Sequence, residues 1–207
     1  MNGRIKTCGL TREADVRLAD RLGVDAVGFI FAPRSRRHVT IETARDLARA
    51  AGPYVTTVGV FESPNLDDVH RAIDRVGLDV VQLHGTIDAC WLPDLDWRVR
   101  IVRGLPYQPG LEPDDPELAR YHGILLDGLV SGAGETFDWG QAQAWKGDPR
   151  LILAGGLHEG NVAEAIHALK PAAVDVASGI EQAPGIKDEG RMQAFVRAAR
   201  QAFREAG

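Results

Sequence analysis

Cysteine is scarce in this sequence: two residues, Cys8 and Cys90, stand among 207. Two cannot build a disulfide framework, a single bridge between them does not suit a reducing compartment, and their spacing matches no metal-ligand pattern. Long apolar runs are missing as well, none approaching the roughly 20 residues that a membrane helix needs. No basic run stands out, with 24 Lys and Arg against 29 Asp and Glu and a formal net charge of -5, so the electrostatic footprint of a nucleic-acid binder is absent. Nor does a G-x-G-x-x-G turn follow the first apolar run. Lys6-Thr7-Cys8-Gly9-Leu10-Thr11 stands there and offers a thiol in place of a glycine cradle for a dinucleotide. Together these absences describe a cytoplasmic chain with reduced cysteines and a small-molecule partner, with no nucleic acid and no membrane as target.

What is present is the balance of a globular protein, 44% hydrophobic and 26% charged, in a length that suits one domain over residues 1–207. Short β-branched or apolar runs recur, most followed by a polar segment of about ten residues with helical period. The runs predict eight strands: Arg4 to Cys8, Ala26 to Phe31, Val55 to Phe61, Val80 to Leu83, Arg98 to Arg103, Gly123 to Asp127, Leu151 to Ala154 and Ala173 to Ala177. Thr11, Thr40, Asn65 and Asp88 read as helix N-caps, their short side chains accepting from first-turn N–H groups. Gly23 and Gly77, in the repeated Gly-Val-Asp and Gly-Leu-Asp, read as left-handed helix stops. This alternation of strand and helix predicts an α/β fold with parallel strands, a single compact (β/α)8 TIM barrel, with an open doubly wound sheet as the alternative.

In such a barrel, functional side chains belong at the carboxyl ends of the strands. Cys8 closes the first strand, with Lys6 two residues earlier on the same face, where a cation favours the thiolate. The plainer reading of Cys8 is a small buried apolar residue. Asp127 closes the sixth strand after Ile124-Leu125-Leu126, where a carboxylate caps the next loop or does chemistry. Strands one and six are expected to face each other across the mouth, placing a proton donor and a proton acceptor on either side of one substrate. Burial is expected to help Asp127 keep its proton. Gly155 and Gly156 after strand seven, with Ser178 and Gly179 after strand eight, free backbone N–H groups where barrels of this kind hold phosphate. Arg34, Arg36 and Arg37 after strand two are anion ligands or a solvated loop. His84 after strand four is a ligand contact or a structural histidine, Phe137-Asp138-Trp139 reads as packing where a loop enters the sixth helix, and Cys90 reads as helix filler.

Lys-Thr-Cys-Gly, Val-Gln-Leu-His-Gly, Leu-Leu-Asp, Thr-Phe-Asp-Trp, Leu-Ala-Gly-Gly-Leu and Val-Asp-Val-Ala-Ser-Gly-Ile-Glu follow in this order from Arg4 to about Phe195. With them the chain resembles the phosphoribosylanthranilate isomerase family. The resemblance implies an Amadori rearrangement in tryptophan biosynthesis, from N-(5-phosphoribosyl)anthranilate to 1-(o-carboxyphenylamino)-1-deoxyribulose 5-phosphate, without a cofactor or metal, by a monomer or homodimer. It implies that Asp127 is the general acid that opens the furanose ring and Cys8 the base that removes the C2' proton. It further implies that Arg37 meets the anthranilate carboxylate, that His84 and Asp175 touch the substrate, and that Gly155, Gly156, Ser178 and Gly179 cradle the phosphate. The loop from Gly128 to Glu135 departs from the family pattern: it is short, and Glu135 stands where many relatives carry a basic residue, which puts substrate closure in question.

Other small barrels with terminal phosphate loops, such as ribulose-phosphate epimerase, thiamine-phosphate synthase and the histidine-pathway isomerases, share the architecture. The last of these use two aspartates where this chain has Cys8 and Asp127. A non-catalytic phosphosugar-binding protein and a cysteine hydrolase using Cys8 and His84 are the readings from other classes.

Overall fold

In the computed structural model of the chain, which describes residues 3–128 and 136–207, eight parallel strands close into a barrel in sequence order. They are β1 (Arg4–Cys8), β2 (Ala26–Ile30), β3 (Thr56–Glu62), β4 (Val80–His84), β5 (Arg100–Pro106), β6 (Gly123–Asp127), β7 (Leu151–Leu153) and β8 (Ala173–Val176). The seam joins β1 to β8, with Lys6 opposite Asp175 and Thr7 opposite Val176. That closure excludes the open sheet.

Strand alternation divides each run into an outer and an inner set. Ile5, Phe29, Leu83, Ile124 and Val174 face outward into the layer shared with the helices, and each is fully buried. Burying side chains of this size stabilises by about 1.5–3 kcal/mol each, which makes that layer the main source of stability. The interior is smaller and less uniform. Cys8, Val58 and Val60 form one inner cluster, and Val102, Leu125 and Ala154 another. Lys6, Gln82 and Asp175 share the inward face with them and are also buried.

The regular helices are α1 (Glu13–Arg21), α2 (Ile41–Ala50), α3 (Leu66–Ala72), α4 (Leu92–Asp96), α5 (Val162–Leu169) and α6 (Glu189–Ala206). Thr40 and Asn65 cap α2 and α3 through the N–H groups of Thr43 and Asp68. Asp88 caps a 3-10 turn, Ala89–Trp91, ahead of α4. Thr11 does not cap α1: the N-cap is Arg12, and the Thr11 hydroxyl donates to the Gly185 carbonyl at 2.5 Å. Gly23 and Gly77 take positive φ values of 71° and 79°, as their positions demand.

Between β5 and β7 the expected helices give way to short 3-10 segments, Leu118–Arg120 and Trp139–Trp145. Pro109, Pro113 and Pro116 crowd the first connection, and proline cannot donate within a helix. Asp138 caps the second segment through the N–H of Gly140, and Phe137 stacks on Tyr107 with 4.6 Å between ring centroids. After β8 comes an element the sequence does not announce, an antiparallel hairpin of β9 (Glu181–Ala183) and β10 (Ile186–Lys187). Among the described residues no helix is long and apolar enough to cross a membrane.

Candidate active site

At the carboxyl ends of the strands lies a cavity of about 430 Å³, within the range of small-molecule sites. Its wall brings together Cys8 from β1, Asp127 from β6, His84 from β4, Asp175 from β8 and Arg37 from the loop after β2. Gly155, Gly156 and Ser178 line it as well. Gly179 does not; it packs against the loop after β7, where a Cβ would stand 1.9 Å from the Leu157 carbonyl oxygen. Glu135 and the rest of 129–135 lie outside the described residues. Cys90 is exposed on its 3-10 turn and is no helix filler, and both cysteines are free.

Cys8 is buried beside Lys6, as strand alternation requires. Room for both comes from Gly28 on β2, where an added Cβ would stand 2.8 Å from Cys8 Sγ and 3.1 Å from Lys6 Nζ. Lys6 is itself engaged, donating from Nζ to Asp175 Oδ2 at 2.8 Å. Burial disfavours its charge, but Asp175 and Cys8 outweigh that and hold the ammonium above its ordinary value. The thiol does not follow the sequence expectation. Burial pushes Cys8 above the ordinary thiol value, Asp175 adds to the rise, and Lys6 and Lys187 only partly oppose it. The cation beside the thiol acts in the expected direction but is largely spent on its own carboxylate.

Asp127 closes an all-buried strand and accepts the Gly128 N–H at Oδ1, 2.8 Å away. Gly155 packs directly beneath it. With φ at 81°, a Cβ on Gly155 would come within 2.7 Å of Asp127 Oδ1 and 2.4 Å of the Gly128 nitrogen, so neither its conformation nor its space admits a side chain. Cys8 and Asp127 are not diametrically opposed: β7 and β8 lie between their strands on the short way round, and the two groups meet obliquely across the mouth.

His84 lies over Gly104 on β5, where a Cβ would strike its imidazole ring. Its Nε2 lies 2.8 Å from Gln82 Nε2, two residues earlier on the same strand. Burial, then Lys6 and Arg103, push the imidazole down to about 4, so His84 is neutral near neutral pH and accepts from the Gln82 amide. Among the described residues, Gln82 and Asp175 each keep one buried oxygen without a hydrogen-bond partner, Oε1 and Oδ1. Both residues line the cavity, where such acceptors suit hydroxyl donors on a ligand.

The arginine loop divides. Arg34 and Arg36 are exposed at the lip, whereas Arg37 is buried and grips Glu181 with two parallel bonds, Nε to Oε1 at 2.8 Å and Nη2 to Oε2 at 2.7 Å. Sequence reasoning reached Glu181 only as the last letter of a motif. Nothing local in the sequence links it to Arg37, 144 residues earlier.

This barrel has known counterparts. The sequence profile described as N-(5'phosphoribosyl)anthranilate (PRA) isomerase matches residues 5–198. The chain belongs to the phosphoribosylanthranilate isomerase family. An N-(5'-phosphoribosyl)anthranilate isomerase of Ralstonia pickettii is 43% identical to it, with 96% of this chain and 93% of that protein aligned. The crystal structure of phosphoribosyl anthranilate isomerase from Thermus thermophilus superposes with a TM-score of 0.85 at 38% identity, over 94% of this chain and 97% of that one. A further solved isomerase, in complex with reduced 1-(o-carboxyphenylamino)-1-deoxyribulose 5-phosphate, gives 0.82 at 32% identity over 96% and 99%. As a phosphoribosylanthranilate isomerase, the chain is an enzyme of tryptophan biosynthesis.

Proposed function

We propose that this family member carries out the Amadori rearrangement of N-(5'-phosphoribosyl)anthranilate with Asp127 as general acid and Cys8 as general base. The observation that supports it best is the shared cavity, whose wall contains both groups together with Arg37 and the glycine-bearing turns.

Asp127 gives its proton to the furanose ring oxygen. The C1'–O bond breaks as the nitrogen lone pair closes a C1'=N iminium. The Cys8 thiolate then takes the C2' proton, and the released electron pair forms the enolamine and neutralises nitrogen. Tautomerisation moves a proton to C1' and leaves the C2' ketone. The iminium charge lies one bond from C2' and adds to Lys6 and Lys187 in favouring the thiolate, which burial otherwise opposes. Arg37 meets the anthranilate carboxylate, and the Gly155, Gly156 and Ser178 turns hold the phosphate through backbone N–H groups. His84 and Asp175 contact the sugar. Each step is a proton transfer or a C–O cleavage and calls on no electron carrier. The chain acts as one catalytic domain in the cytoplasm, as monomer or homodimer.

Turnover is followed by the loss of anthranilate-type fluorescence in the parent protein and in Cys8→Ala and Asp127→Ala, with circular dichroism to check folding. Each change is expected to lower kcat by about 10²–10⁴-fold or more, the range for removing one acid or base. A folded variant that turns over at a near-parental rate would overturn the assignment of its residue.

A further inference from the structure

The hairpin β9–β10 packs against the loop after β1 and ties together three groups that no local sequence signal connects. Glu181 Oε1 accepts from Arg37 Nε at 2.8 Å, from Lys187 Nζ at 2.9 Å and from the Gly185 N–H at 3.1 Å. Its Oε2 takes the second bond from Arg37. Lys187, with a side chain exposed by 0%, also donates to the carbonyls of Cys8 at 2.6 Å and Ala177 at 3.0 Å. The loop after β1 is held from its other side, by Thr11 on the Gly185 carbonyl and by Arg12 on the Lys187 carbonyl.

Two buried cations on one carboxylate leave a net charge of +1 in this cluster. Glu181 fixes the direction of that charge: it occupies Nε and Nη2 of Arg37, so only the Nη1 edge and the second Nη2 hydrogen remain for a ligand. We infer that Glu181, supported by Lys187, is a positioning residue that makes this site selective for a carboxylate on the aryl amine by holding Arg37 in one orientation. The inference deepens the proposed function and rests on its assignment of Arg37 to that carboxylate.

Two effects oppose each other when Glu181 is removed. Losing a negative charge strengthens the pull on a carboxylate. Losing the fork frees a long, rotamer-rich side chain and leaves Arg37 facing Lys187 in a buried site with no anion between them. The second prevails, because two facing buried cations drive the mobile one out toward solvent.

The test compares the affinities of two reduced sugar phosphates, 1-(o-carboxyphenylamino)-1-deoxyribitol 5-phosphate and its plain phenylamino counterpart, so it reads binding without turnover. The parent protein is expected to prefer the carboxylated compound by about 10-fold or more, the worth of a charge-assisted pair. Glu181→Gln is expected to abolish most of that preference, and Glu181→Asp, which keeps the charge, to retain part of it. In an Arg37→Met background Glu181→Gln should change the ratio by less than about 2-fold, since the two act as one unit. A scaffold role alone would weaken both compounds equally and leave the ratio intact, and that result overturns the inference, as does a preference that rises. Should Glu181→Gln not fold, Glu181→Asp and the double variant decide on the same ratio. If Arg37→Met itself leaves the preference unchanged, the assignment of Arg37 falls first, and the inference with it.

Discussion

The two sides of the mouth are built by different means. On the Cys8 side, β1, β8, the loop after β2 and the hairpin are cross-linked by buried charge: Lys6 with Asp175, and Arg37 and Lys187 with Glu181. On the Asp127 side the strand is buried throughout and apolar up to Asp127 itself, Val102, Leu125 and Ala154 form the inner cluster below, and clearance comes from Gly155. On the roles proposed for Cys8 and Asp127 the difference suits the chemistry. A base that works as an anion in a buried place needs cations near it, and these need partners of their own, whereas burial of a carboxyl group favours its neutral form.

If this contrast holds, the largest effect on stability belongs to the charged side. Lys6→Met strands Asp175 in the interior and is expected to cost about 3–5 kcal/mol in urea unfolding, while Lys6→Met with Asp175→Leu recovers most of it. In the folded fraction of Lys6→Met the Cys8 thiolate, read by its ultraviolet absorbance, should titrate still higher, because a charge that lowers the thiol has gone. A loss below about 1 kcal/mol, the size of a surface pair, would erase the contrast.

The next effect sharpens it through pH. Folded His84 stays neutral down to about 4, whereas the unfolded ring takes a proton below its ordinary 6.5. Stability is therefore at its full value above pH 6.5 and falls as the pH drops toward 4, by up to about 3 kcal/mol from this residue. Urea midpoints of the parent and His84→Gln measured across that window should diverge, the variant losing less on acidification. Parallel curves would show that the imidazole titrates normally.

The smallest of the three probes the apolar side. Gly155→Ala forces a methyl group against Asp127 Oδ1 from a positive-φ position and is expected to lower stability by about 1–3 kcal/mol. Turnover should drop with it. An unchanged kcat would mean that the carboxyl group tolerates displacement and that clearance beneath it does not matter.

The barrel was legible because its signal is periodic. Apolar runs at even spacing predict all eight strands, and glycine at 23 and 77 marks true stops. Boundaries drift where the local chemistry is ambiguous: the fifth strand begins at Arg100 rather than Arg98, since the preceding helical turn runs through Trp97. Cys8, Asp127 and the glycine turns were readable from their places at strand ends. What stayed hidden is nonlocal. The Thr11 hydroxyl looks like a cap and instead reaches a carbonyl 174 residues away, and no spacing rule connects Glu181 to Arg37 or weighs Lys6's carboxylate against its thiol.

The seam between β1 and β8 has a consequence for biogenesis. Lys6 and Asp175 are 169 residues apart, so the thiol's electrostatic setting does not exist until the final barrel strand has left the ribosome and zipped against the first. On the proposed roles of Cys8 and Asp127, a nascent chain that already carries both groups is inert, and catalytic competence arrives late, in a single event, when the cylinder shuts.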